Sequence, residues 1–262
     1  LVAAVMEGVG EPTLIVRATG SEHVYSLRPS DAEALENARV VFWVGEGMET
    51  FLENPIETLA TGAKVVALED APGLTKLAYR EGGPFEAHVH DEDEGHDHAH
   101  HDDDDDDDGE EHAGHHDGED EGHDHGHDHG HAHGGHDLHF WLDPVNAKAL
   151  LAEIERTLAE ADPENAERYR ANAEAYAGRL DELVAEVEAE IAPVKDKPVV
   201  VFHDAYQYFE TRFGLNVVGS ITVSPEVLPG AQRLSEIRAK VLELNAACVF
   251  AEPQFEPRLV SV

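Results

Sequence analysis

The chain is 262 residues long, enough for one large domain or two ordinary ones, so length decides little. Its 56 acidic and 18 basic residues leave a formal charge of −38, and residues 86–137 hold 22 of the acids, none of the bases and 16 of the 19 histidines. Such a charge repels phosphate backbones and anionic lipid surfaces, which argues against nucleic acid and membrane partners and for a cation.

The opening LVAAVMEGVGEP reads as a helix already under way, and the closing EPRLVSV as one just begun with Pro257 in its first turn. Both ends are therefore expected to be truncated. No run approaches the roughly 18 apolar residues of a membrane-spanning helix, so no direct membrane insertion is expected. TLIVR at 13–17 is predicted to be a strand. Ser30 is predicted to cap a helix, with Glu33 completing a capping box. RVVFWVG at 39–45 and KVVAL at 64–68 follow as strands on either side of a helical patch. Strand, helix, strand implies a parallel α/β sheet, and the apolar run VVFWV fits one covered on both faces.

From about residue 86 the composition is His, Asp, Glu and Gly with almost nothing to bury, which predicts a disordered insertion in this first lobe, with 86–137 as its bounds. LHFWLDP then leads into a helix over 144–161. DPEN resets the chain, with Asp162 as N-cap and Pro163 at the first helical position. Tyr169, Ala173, Tyr176, Leu180, Leu183, Val187 and Ile191 keep a spacing of three and four up to Pro193. That predicts one helix of about 28 residues, roughly 42 Å, acting as a rigid connector over 162–193. VVVF, DAYQYFETRFG, LNVVGSI, AQRLSEIRAKVLELN and CVFAE then alternate strand and helix, so 194–262 is read as a second, truncated α/β lobe. The fold class is α/β: two parallel-sheet lobes joined by one long rigid backbone helix, with a cleft between them as the place for a ligand.

Three histidines lie outside the acidic tract: His23, His139 and His203. His203 follows VVVF at the carboxyl end of a strand, where α/β folds put their ligands. Each alone is as readily a structural histidine. Together, with Glu22 beside His23, they could hold Zn²⁺ at about 2.0–2.1 Å per nitrogen. In the tract, the aspartates of 102–108 are explained by a solvated linker. The alternation GHDHGHDHGHAHGGHDLH is not, and imidazoles spaced on a flexible backbone make weak, exchangeable metal sites. The auxiliary candidates are His96, His98, His100, His123, His125, His127, His129, His131, His133 and His136.

Catalytic motifs are missing: no GxGxxG, P-loop, HExxH or GxSxG occurs. Asp204 and Glu210 read as a cap and a surface charge rather than an acid–base pair. Cys248, the single cysteine, reads as a buried small hydrophobe or half of a disulfide whose partner lies outside the chain.

SEHVYSLRPSD at 21–31, HFWLDP at 139–144, FHDAYQYFETRFGL at 202–215, PGAQRLSEIR at 229–238 and CVFAEPQF at 248–255 resemble the periplasmic zinc-binding receptors of bacterial high-affinity zinc ABC importers, within the metal-binding cluster of solute-binding proteins. The resemblance spans nearly the whole chain, with the His/Asp-rich loop where that family carries one. It implies two α/β lobes on one backbone helix with zinc in the cleft. The family's histidine ligands fall on His23, His139 and His203 and its carboxylate ligand on Glu22. Manganese-binding relatives place a glutamate at the position of His203, and an all-imidazole set favours zinc. The late second-lobe aspartate that other relatives use, and the disulfide partner of Cys248, are absent from this chain.

The function expected is therefore a non-enzymatic receptor that binds Zn²⁺ in the periplasm of a Gram-negative bacterium and passes it, as a monomer, to a membrane permease. A signal peptide is expected to lie outside this chain. The rivals are a periplasmic zinc buffer or metallochaperone acting through the loop, and a zinc-dependent hydrolase using the same histidines around an open position.

Overall fold

The structure is a computed structural model that describes residues 1–17, 25–80, 85, 135–222, 235, 238–239 and 241–252. In the first lobe, β1 (Val40–Trp43) and β2 (Lys64–Ala67) pair in parallel, from Val40 opposite Lys64 to Trp43 opposite Ala67. Trp43 faces Leu35 of α2 (Pro29–Glu36) and Ile56 of α3 (Glu53–Leu59), while Phe42 packs on the other side against Val5 of α1 (Val2–Val5) and Leu151 and Ile154 of α4 (Pro144–Ala161). The expected two-sided covering of VVFWV is thus realised by alternation along the strand.

Two local expectations are corrected. Residues 13–17 form no strand; they lie across an open groove of about 1060 Å³ from Val40, Val41 and Phe42, with Leu14 exposed, and have no ladder partner there. The cap of α2 is Arg28 rather than Ser30, because Pro29 takes the first helical position and Asp31 closes the turn. The Asp31 carboxylate accepts hydrogen bonds from the Arg28 side chain and backbone N–H, and these bonds hold its pKa down to about 2.

Asp143 caps α4, its side chain accepting from the Val145 N–H at 2.9 Å, and Pro144 opens the helix. After the 3₁₀ turn Pro163–Asn165, α5 runs 26 residues from Ala166 to Ile191, about 39 Å. Its first half buries Tyr169 and Ala173 against Leu151, Ile154 and Leu158 of α4. The apolar stripe continues beyond Leu180, but Leu183 is 42 % exposed, so that end of the helix is held by its own periodicity and less by packing.

α5 leads into the second lobe, where β3 (Val199–His203) lies between β4 (Val217–Thr222) and β5 (Cys248–Phe250), all parallel. Every residue of β3 is buried, as expected of a central strand read from a continuous apolar run. α6 (Gln207–Phe213) ends on Gly214 with φ +68°, the left-handed position that favours glycine. Residues 231–234, 236–237 and 240 of AQRLSEIRAKVLELN, with residues 253–262, lie outside the described residues.

The two lobes interlock through α6. Tyr208 is 2 % exposed and packs with Met48, Leu138, Phe140 and Leu150 of the first lobe. Its hydroxyl accepts from the Leu77 N–H at 2.9 Å and donates to the Asp137 carbonyl at 2.6 Å. Burial pushes its pKa up to about 12. Tyr208→Phe leaves both backbone partners unpaired in a dry setting, and we expect a loss of about 1–3 kcal/mol, read from urea unfolding at constant m-value.

Candidate metal centre

His139 is 4 % exposed and His203 is 1 % exposed, and their ring centroids lie 4.9 Å apart at an interplanar angle of 78°. Two imidazoles sharing one tetrahedral ion at about 2.0–2.1 Å per nitrogen have centroids about 5 Å apart, so this pair is spaced for a common metal.

Each ring is held by a different local device. His139 precedes the 3₁₀ turn Phe140–Leu142, which is fixed by the buried Asn146 side chain. Asn146 Nδ2 donates to the Phe140 carbonyl at 3.1 Å and the Thr75 carbonyl at 3.0 Å, and its oxygen accepts from the Thr75 N–H at 2.8 Å. Trp141 flanks the ring at 5.4 Å. Asp137 accepts from the His139 backbone N–H at 2.9 Å and lies 2.7 Å from Nδ1 of its ring. A carboxylate at that distance assigns the proton to Nδ1 and leaves the Nε2 lone pair for an ion.

His203 is the last residue of β3, and the turn after it is closed by the Ala205 N–H donating to the His203 carbonyl at 2.9 Å. Because Val201 is opposite Phe250 in the parallel ladder, the chain leaving β5 arrives beside His203, and Glu252 Oε2 lies 3.8 Å from its Nδ1. Both candidate ligands therefore have a carboxylate on the Nδ1 side.

The other two cleft candidates, Glu22 and His23, fall in residues 18–24, outside the described residues. Among the described residues no three His, Cys, Asp or Glu side chains converge as a complete metal cage. Of the auxiliary set, His136 is described and the other nine lie outside the described residues. His136 and Asp137 belong to the ordered first lobe: the Asp137 N–H donates to the Leu77 carbonyl at 2.8 Å, and Asp137 is 2 % exposed. That corrects the reading of 137 as the end of a flexible tract. Sequence patterning passes over Asp137 because it closes a tract of the same His, Gly and Asp composition. The available signal was Leu138, an apolar residue just after it, at the point where the chain re-enters a core.

Two further readings are corrected. Asp204 and Glu210 are not a cap and a surface charge: both side chains are largely buried against Arg80, which comes from the first lobe, while the N-cap of α6 is Tyr206. Cys248 is exposed, because among the described residues β5 is an edge strand and its first residue points away from the Val200–Phe202–Ile221 core.

Two α/β lobes joined by a long helix, with paired imidazoles buried where the lobes meet, define a two-lobed metal-binding receptor. The chain belongs to the zinc-uptake complex component A family of periplasmic proteins (ZnuA), whose sequence pattern it matches over residues 1–262. It is 60 % identical over 260 residues to the high-affinity zinc uptake system protein ZnuA of Brucella abortus (strain 2308), covering 99 % of this chain and 75 % of that protein. The ZnuA of Yersinia pestis is 36 % identical over 261 residues, covering 100 % of this chain and 74 % of that one. Among solved structures, a crystal structure of ZnuA superimposes with a TM-score of 0.70 at 21 % identity, covering 99 % of this chain and 80 % of that chain. A manganese-bound periplasmic metal-binding protein from Candidatus Liberibacter asiaticus gives 0.67 at 15 % identity, covering 99 % and 78 %.

The expected α/β architecture is borne out by these likenesses, and family membership bears out a zinc-uptake receptor over a hydrolase. The fold alone does not choose the metal, since a manganese-bound protein shares it. No helix among the described residues is long and apolar enough to cross a membrane.

Asp137 yields a prediction. Asp137→Ala frees the His139 ring to change tautomer and tilt, and we expect zinc affinity to fall about 10–100-fold, as for other carboxylates behind metal-bound histidines. Chelator competition checks this, and an unchanged affinity would count against His139 as a ligand.

Proposed function

We propose that the chain captures Zn²⁺ in the periplasm of a Gram-negative bacterium through Glu22, His23, His139 and His203 and delivers it, as a monomer, to the permease of an ABC importer. The observation that carries this is the His139–His203 pair, buried at the lobe junction with a carboxylate behind each ring. All-nitrogen donation from three rings suits zinc better than manganese, and one carboxylate completes a tetrahedron.

The histidines of the tract, from His96 to His136, act in this reading as a collector that raises the local ion concentration. A signal peptide directing export and a disulfide from Cys248 to a cysteine outside this chain belong to the same reading; the exposed thiol is reachable.

Calorimetric titration separates receptor from buffer. The intact chain should bind one ion tightly and several weakly, and a chain lacking residues 89–134 should keep the tight one. Loss of tight binding with the tract would instead make the tract the functional part.

A further inference from the structure

We propose that the Asp143–Arg212 pair is a strut that sets the spacing of the two candidate zinc ligands His139 and His203. The inference rests on the zinc-receptor reading and adds two positioning residues to it. Arg212, in the last turn of α6, donates from Nε to one Asp143 oxygen at 2.8 Å and from Nη2 to the other at 2.7 Å. A two-bond fork of this kind fixes direction as well as distance. It crosses the lobe junction, since α6 belongs to the second lobe and Asp143 to the first. The Asp143 side chain is 6 % exposed and that of Arg212 is 33 %, so water reaches the pair mainly from the arginine side.

Each partner is tied to one ligand. Asp143 follows His139 across a turn closed by the Leu142 N–H donating to the His139 carbonyl at 3.0 Å and the Asp143 N–H donating to the Phe140 carbonyl at 3.3 Å. Arg212 follows His203 through the turn closed at Ala205 and then along α6. The fork therefore closes a ring that runs from one ligand to the other without passing through a metal.

Tyr208, one turn earlier on the same face of α6, donates to the carbonyl of Asp137, which precedes His139. The two anchors thus straddle His139. Tyr208 alone would let α6 pivot and carry His203 with it; the fork stops the pivot. Arg80 does not replace it, because it joins Asp204 and Glu210 to a different part of the first lobe. Rings held 4.9 Å apart before an ion arrives spare binding the cost of ordering them.

The test compares the intact chain with Arg212→Gln, Asp143→Asn, their double variant and Arg212→Lys. Zinc affinity is read by chelator competition, at a temperature where circular dichroism shows every variant folded, and ring positions come from crystal structures of the metal-free proteins. Asp143→Asn keeps the cap on α4, since Asn caps as well as Asp, but sets amide N–H donors against the guanidinium. Arg212→Gln and Asp143→Asn should each weaken zinc binding about tenfold, and the metal-free rings should leave their 4.9 Å separation. The double variant should be no weaker than either single one, because the pair acts as a unit. Arg212→Lys, which keeps the charge without the fork, should fall between them and the intact chain. Unchanged zinc affinity, unmoved rings, or losses that add in the double variant would each overturn the inference and leave the pair a prop of stability. Failure of the intact chain itself to bind zinc tightly would tell against the receptor reading instead, and the ring separation would still decide on the strut.

Discussion

His203→Ala is expected to weaken zinc binding about a hundredfold. Four-ligand protein zinc sites bind with roughly 10–16 kcal/mol, so each ligand carries about 3 kcal/mol if the total is shared evenly. His203 should reach at least that figure, because its ring is 1 % exposed and its removal leaves the Glu252 carboxylate, 3.8 Å away, facing the emptied space. His139→Ala and His23→Ala should act similarly if all three coordinate one ion. His203→Glu should instead shift preference from zinc towards manganese, since a carboxylate is the harder donor. Zinc and protons compete for the same nitrogens, so the intact site should also lose affinity as pH falls. Competition against a chelator of known strength reads all of these, and tight binding retained in each alanine variant would sink the cleft assignment.

The parts of this site visible in the sequence are those that punctuate elements. His203 ends a β-branched run, and His139 precedes a Pro-opened helix, so both could be placed at element ends before any coordinates. The α4 bounds and the long α5 followed from Pro144, Pro163 and an unbroken three–four spacing. What was hidden is tertiary. Asp137 is written in the same letters as the tract before it, and its burial, its backbone bond to Leu77 and its 2.7 Å contact with His139 are what separate it from linker. Glu252 reaches His203 through the parallel register of β3 and β5, which spacing along the chain does not reveal. Residues 13–17 have the composition of a strand, but strand formation needs a neighbour to supply the ladder, and among the described residues β1 is paired only to β2. The exposure of Cys248 likewise depends on β5 being an edge among the described strands, a fact of strand order and not of the residues themselves.

The second large effect is expected at Arg80, which sequence patterning passes over entirely. Its guanidinium joins Asp204, the residue after His203, to Glu210 of α6, with Nη1 2.5 Å from one Glu210 oxygen and Nη2 3.1 Å from the other. It also lies over the Phe85 ring at 3.9 Å. The Asp204 side chain is 3 % exposed and that of Glu210 is 11 %. Arg80→Ala therefore strands two carboxylates in a poorly solvated junction between the lobes. Breaking a buried pair costs about 3–5 kcal/mol, and since Arg80 keeps 18 % exposure the lower end applies, giving a melting point about 10 °C lower for a chain of this size. Burial raises the Glu210 carboxyl and Arg80 pulls it back. Without Arg80 that restraint is gone and the folded-state value rises further above the unfolded one. A carboxyl raised on folding contributes its stability at low pH and loses it as pH rises through the folded value. The deficit of Arg80→Ala should accordingly be greatest at neutral pH and shrink as pH falls towards 4.5, the ordinary glutamate value. Adding Glu210→Gln should recover part of the loss at neutral pH. Thermal unfolding of the intact chain and the two variants across that range checks the argument, and a deficit that stayed constant with pH would mean Arg80 acts through packing on Phe85 and not through its charge.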